Sequence, residues 1–283
     1  MVSDPVGSSA PVRKPRAGRN LPAAIATGVG LIALICLTLF TYRWTFGVLV
    51  SIAMVIAVLE FSNAFKQAGI RLERVTVALA AAVMPLAAFW FGLTGQTVVM
   101  GITVLAVIFV RIPRGSEGYV KDVTASLFVA AYLPFMASFL MLTLSADNGP
   151  LRVLVFVALT VGNDVGGYVA GVFFGKHPIA PSISPKKSWE GLAGSFVLQI
   201  ALGVAGFVWL LDASWWQGAI AGIVLTITAT AGDFAESAVK RDMGIKDMGR
   251  LLPGHGGIMD RLDSLIPNAF TSWALFTLFL GSV

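Results

Sequence analysis

Charge is scarce in this sequence. Only 12% of its 283 residues are charged, against 57% that are hydrophobic, whereas a soluble domain carries roughly a quarter charged residues. So few charges cannot clothe a water-facing surface of this size. That excludes an ordinary soluble domain and makes lipid the expected solvent. Cysteine is scarcer still. Cys36 stands alone in an apolar run, so no intrachain disulfide is possible, and it reads as a small buried hydrophobe. No internal repeat is visible.

Apolar runs of membrane length are abundant instead. Crossing the hydrocarbon core takes about 20 predominantly apolar residues. That length predicts nine passes, over about 21–42, 45–63, 74–93, 95–112, 122–145, 151–175, 191–212, 215–240 and 262–282. Residues 1–20 are Pro/Gly/Ser-rich and basic and read as a disordered tail. The apolar run after them exceeds the roughly 7–15 residues of a signal peptide.

Lys and Arg accumulate in cytoplasmic loops, and here they are sharply partitioned. The tail holds Arg13, Lys14, Arg16 and Arg19, and the even-numbered connections hold all other basic residues except Arg43 and Arg152. Eighteen of the 20 therefore fall on one side. The expected fold is all-α, a polytopic transmembrane protein of about nine helices with a cytoplasmic N-terminus. It divides into the tail (1–20), helices one to five for scaffold and lipid access (21–145), and a half that carries the chemistry (146–283), facing the cytoplasm from the cell membrane.

Three segments of the second half look chemical. Asn163-Asp164-Val165-Gly166-Gly167 interrupts the sixth apolar run, and a carboxylate at membrane depth is a functional hypothesis by default. The two glycines would loosen that helix or admit a neighbouring backbone. The next loop contains Lys176 and then Ser184-Pro185-Lys186-Lys187-Ser188 ahead of helix seven, a setting suited to an anion, because a helix N-terminus offers free donors. Glu60 and Glu73, in the first half, read as interfacial.

The third segment is the most specific. Asp233, Glu236 and Lys240 fall three and four residues apart at the end of helix eight, which places them on one face. Lys246, Asp247, His255, Gly256 and Gly257 follow, and helix nine opens with Asp260, Arg261 and Asp263. If the two helix ends meet, Asp233, Asp260 and Asp263 converge. Three carboxylates with one histidine nearby are hard oxygen ligands, suited to Mg²⁺ and not to Zn²⁺. Basic residues around them make sense when the metal is shared with a polyphosphate. Such a cluster is the equipment for displacement at phosphorus.

The stretch Ser237 to Asp263, with Lys240-Arg241, Lys246-Asp247, Pro253-Gly254-His255-Gly256-Gly257 and Asp260-Arg261-Leu262-Asp263, resembles the C-terminal motif of the phosphatidate cytidylyltransferase (CDP-diacylglycerol synthase) family. Asp164 to Gly191 is similar to that family's second motif, with Gly167, Val172 and Ser188 departing from its usual pattern. The resemblance implies that CTP and phosphatidate give CDP-diacylglycerol and pyrophosphate at the cytoplasmic face. It also implies a homodimer and a two-cation centre, Mg²⁺ with K⁺ or another divalent ion. Asp233, Asp260 and Asp263 would be the cation ligands, with Ser184, Lys186, Lys187 and Ser188 around the nucleotide phosphates.

The expected chemistry is in-line attack of a phosphatidate oxygen on the α-phosphorus of CTP. Lys240, Arg241 and Lys246 would stabilise phosphate charge, His255 would donate to a phosphate or to the leaving group, and Gly256 and Gly257 would offer backbone amides. Asp164 would complete the cation shell or order the lysines. Lys176 belongs to the substrate-binding set, and Asp247 and Arg261 to the catalytic set. Membrane lipid is an expected partner and nucleic acid is not. A CTP-dependent lipid kinase would use related equipment but move the γ-phosphate. A secondary transporter would place its polar site near the midplane between repeats.

Overall fold

The computed structural model describes residues 21–249 and 257–281, so the tail, His255 and Gly256 lie outside the described residues. The chain is overwhelmingly helical: α1 (Leu21–Phe40), α2 (Arg43–Gln67), α3 (Arg74–Arg111), α4 (Tyr119–Ala130), α5 (Met136–Ser145), α6 (Gly149–Phe174), α7 (Trp189–Ala205), α8 (Trp215–Asp242), α9 (Met259–Leu262) and α10 (Leu265–Leu280). An antiparallel hairpin, β1 (Pro178–Ala180) and β2 (Ser184–Ser188), stands between α6 and α7. The Ser184–Ser188 segment, read as a loop from sequence, is thus largely a strand.

Six stretches among the described residues are long and apolar enough to cross a membrane. They expose large apolar side chains outward, Trp209, Phe173 and Val197 among them. Helices suit that environment because each backbone N–H and C=O is satisfied within its own segment.

One stretch, Arg74–Arg114, has 41 residues and as a straight helix would extend about 60 Å, far beyond one bilayer. It reverses at Gly92, whose φ of 61° is available at little cost only to glycine. A Cβ on Gly95 would lie 2.5 Å from the Ala87 carbonyl oxygen, a contact that eight residues of continuous helix, about 12 Å of rise, would forbid.

Hydrogen bonds sort the connections into two ends. At one end Arg71 N–H donates to Asp122 at 2.9 Å, Arg114 pairs with Glu73, and Arg241 reaches the Ile183 carbonyl at 3.4 Å. At the other end Arg43 donates to the Ala146 and Asp147 carbonyls, both at 2.9 Å, and Gln217 to that of Phe279 at 3.3 Å.

Two apolar cores hold the bundle. One gathers Phe139, Phe156, Phe207 and Phe276 from α5, α6, the turn after α7, and α10. The other gathers Phe61, Val107, Leu133, Met259 and Ile266, joining the N-terminal helices to α9 and α10. Between α4 and α5 the helix widens into a π-turn over Ala131–Phe135, around Pro134, which has no N–H to donate to the ladder. The Phe135 carbonyl takes Gln96 Nε2 at 3.1 Å and Ser138 Oγ at 2.7 Å.

Deep in the bundle Asn268 of α10 accepts from Thr228 of α8 at 2.5 Å and donates to Thr160 of α6 at 3.2 Å. This triad fixes the register of the three helices that carry the site. Asn268→Ala should cost roughly 1–2 kcal/mol, since interhelical bonds in membranes are worth about 0.6 to 1.7 kcal/mol each. Equilibrium unfolding in mixed micelles measures it, and a loss of only a few tenths would remove the triad from the account.

Candidate active site

Glycines set the spacing of α6 and α7. A Cβ on Gly166 would meet the Gly194 carbonyl oxygen at 2.7 Å, and one on Gly194 would meet the Gly166 carbonyl at 2.8 Å. The two backbones touch, so of the two roles open to the Gly166-Gly167 pair, close approach is the one realised. Ser195 Oγ then donates to the Asn163 carbonyl at 2.7 Å. Ser188 starts α7 as its N-cap, accepting from Gly191 N–H at 3.1 Å.

This packing leaves a cavity of about 330 Å³ between α6, the hairpin, the start of α7 and α8. That is near the lower end for small-molecule sites. Asp164, Ser184, Lys186, Lys187, Ser188 and Asp233 all line it. Residues 69 apart in sequence, expected from two motifs, therefore share one wall-to-wall space. Lys187 pairs with Asp233 and lies 4.9 Å from the Phe234 ring centroid, holding the hairpin against α8.

Behind Asp233 the start of α10 comes close because Gly232 has no side chain. A Cβ there would stand 2.5 Å from the Asp263 carbonyl oxygen. Asp263 is within electrostatic reach of Asp233 and Asp164, and Asp164 within reach of Asp233, Lys187 and Arg261. Like charges this near raise each other's energy unless a cation intervenes.

Asp260 is placed differently. It accepts from Lys240 Nζ at 2.9 Å, from Gly257 N–H at 2.8 Å and from Met248 N–H at 3.2 Å. Lys240 also pairs with Glu236, which is fully buried. The three aspartates expected as one set thus divide. Asp233 and Asp263 stand with Asp164, while Asp260 holds Lys240 and the loop. Among the described residues, no three acidic, histidine or cysteine side chains are gathered tightly enough to hold a cation as they stand.

The remaining expected residues lie around this centre. Arg241 is exposed in the last turn of α8, Lys246 and Asp247 are exposed beyond it, and Lys176 is exposed at the base of the hairpin, its N–H donating to Glu190 at 3.1 Å. Gly257 is buried against Asp260.

Two side chains not assigned to the site from sequence belong near it. Tyr132, on the π-turn, lies within reach of Asp263, Glu236 and Asp233, with its buried hydroxyl unpaired among the described residues. Glu60, read as interfacial, instead accepts from the N–H groups of Ile258 and Met259. Neither carried a local signal. A tyrosine in an apolar run and a glutamate near a helix end are ordinary until the tertiary contacts are known.

A family model described as the cytidylyltransferase family matches residues 22–279. The chain belongs to that family. It is an enzyme, a nucleotidyltransferase. Over 280 residues it is 38% identical to a phosphatidate cytidylyltransferase of Mycobacterium leprae, covering 93% of this chain and 90% of that protein. Against the Mycobacterium bovis phosphatidate cytidylyltransferase the identity is 37% over 278 residues, with the same coverage. A phosphatidate cytidylyltransferase of Synechocystis is 39% identical over 125 residues, 42% of each chain. In this cytidylyltransferase the family match runs through both halves, so the N-terminal helices belong to the enzyme as much as the cavity does.

Proposed function

We propose that the chain transfers the cytidylyl group of CTP to phosphatidate, forming CDP-diacylglycerol and releasing pyrophosphate. The observation that carries this reading is the cavity, where Lys186, Lys187, Ser184 and Ser188 face Asp164 and Asp233. Cationic and hydroxyl donors opposite carboxylates suit a nucleotide triphosphate that arrives with a metal, and the full-length relatives carry this activity in their names.

The donor set is oxygen only and fits a hard cation such as Mg²⁺, with Asp233 and Asp263 as ligands and Asp164 beside them. When bound, the metal supplies charge neutralisation between two anionic reactants. The chain's own groups do the positioning. Lys186 and Lys187 draw the triphosphate into the cavity, and the N-terminus of α7 favours anionic charge beside it. Lys240, oriented by Glu236 and Asp260, presents a fixed positive charge about two helical turns from Asp233 along α8. A phosphatidate oxygen then attacks the α-phosphorus and the bond to pyrophosphate breaks. No enzyme nucleophile is needed, because the lipid phosphate is itself the nucleophile.

Nine passes with a cytoplasmic N-terminus would put the basic connections and this cavity on the cytoplasmic side of the cell membrane. CTP is then reached from the cytosol and phosphatidate laterally from the leaflet. The reversal at Gly92 supports counting Arg74–Arg114 as two passes.

The test is incubation of purified protein in detergent with α-³²P-CTP, phosphatidate and Mg²⁺, followed by lipid extraction. Label entering the lipid phase, dependent on phosphatidate and lost with EDTA, is expected. Label that stays aqueous while γ-³²P enters lipid would overturn the reading in favour of a CTP-dependent kinase.

A further inference from the structure

We propose that Glu60 of α2 is a positioning residue for the reaction, holding the start of α9 so that Asp260 and Asp263 take up their places. This rests on the cytidylyl-transfer reading above and gives the N-terminal half a task beyond scaffold.

Glu60 is 8% exposed. Its Oε1 accepts from Ile258 N–H at 3.0 Å and its Oε2 from Met259 N–H at 2.9 Å. Both oxygens of the carboxylate are thus met by backbone donors. Bonds from N–H groups to a carboxylate are about twice as strong as neutral ones.

The fit around the carboxylate is close. A Cβ on Gly249 would lie 2.1 Å from Glu60 Oε1, and one on Gly257 would lie 2.6 Å from Oε2. Two glycines therefore flank the carboxylate, and a side chain at either position would displace it. This accounts for two glycines of the C-terminal motif as room for a residue of the second helix, far earlier in the chain.

α9 has only four residues, too few to be stable alone. Its place is fixed from outside, by Glu60 on one side and the apolar packing of Met259 on Phe61 and its neighbours. The residue after Met259 is Asp260, which grips Met248 and Gly257 N–H and Lys240. Glu60 and Asp260 thus hold the backbone N–H groups of Met248, Gly257, Ile258 and Met259 between them. A shift of α9 would move Asp260 away from Lys240 and Asp263 away from Asp233. Removing a group that orients ligands typically costs about 10–100-fold in metal affinity or activity.

Glu60→Gln keeps the size but turns one acceptor into a donor facing an N–H. In the lipid-labelling assay we expect kcat to fall about 10- to 100-fold and the half-saturating Mg²⁺ concentration to rise, with the melting midpoint in detergent near that of the parent. Glu60→Asp, which keeps the charge, should recover part of both. A merely structural role would reduce the yield of folded protein while leaving the Mg²⁺ dependence of what remains unchanged, and that result would overturn the proposal. If Glu60→Gln yields no folded protein, Glu60→Asp carries the test by the same Mg²⁺ criterion. The parent protein, run in parallel, separates the two readings. A parent without Mg²⁺-dependent transfer sinks the proposed function, whereas an active parent matched by Glu60→Gln in kcat and Mg²⁺ dependence sinks only the role of Glu60.

Discussion

Asp263→Asn should lower cytidylyl transfer by about a thousandfold while leaving the protein folded. Metal-held charge stabilisation contributes several kcal/mol in the transition state, and each 1.36 kcal/mol is a factor of about ten. Asparagine preserves the shape of the side chain but removes its charge and half of its capacity to hold a hard cation. The backbone position is protected independently, because Asp263 packs its carbonyl against Gly232 and its neighbour Ser264 donates back to the Asp263 carboxylate at 2.7 Å. Melting in EDTA adds a control with a definite sign. Asp263 stands within reach of Asp233 and Asp164, so removing one like charge should leave the metal-free variant no less stable than the parent. With Asp263 proposed as a cation ligand, added Mg²⁺ should raise the melting midpoint of the parent more than that of the variant. An Asp263→Asn protein with most of its activity at saturating Mg²⁺ would remove Asp263 from the ligand set.

Lys240→Met should damage both stability and turnover. Its ammonium lies between Glu236, which is fully buried, and Asp260. Breaking a buried pair by removing one partner costs about 3–5 kcal/mol, because the surviving charge is left uncompensated. The double variant Lys240→Met, Glu236→Gln should regain most of the stability, since no buried charge is stranded on α8. It should not regain activity, because the cation proposed to face the phosphates is still missing and Asp260 has lost its partner. Unfolding midpoints and kcat measured on the two proteins separate these effects. Equal recovery of both would mean that Lys240 serves the fold alone.

The sequence carried much of the site for a physical reason. Carboxylates, lysines and glycines are costly in an apolar chain, so where they cluster they stand out. Six of the expected substrate and metal residues, from Asp164 to Asp233, line one cavity. Asp260 shows what spacing leaves undecided. An aspartate three residues from another reads as a second ligand, yet its oxygens are taken up by Lys240 and by two backbone N–H groups. Helical periodicity places a side chain on a face. It does not say which loop will fold back to occupy that carboxylate.

Composition and run length alone determined that this chain is a bundle of apolar helices in lipid, because each membrane-buried backbone must satisfy its own hydrogen bonds within a helix. The sequence also pointed to the second half as the place to look for the chemistry, because most of its clustered polar residues gather there. Only the tertiary structure decided that α6 and α7 meet backbone to backbone at Gly166 and Gly194. It alone divided the acidic residues between the cavity and the Lys240 grip. It alone joined Glu60 of α2 to the start of α9. These contacts link residues far apart along the chain, and they depend on which helix faces pack together.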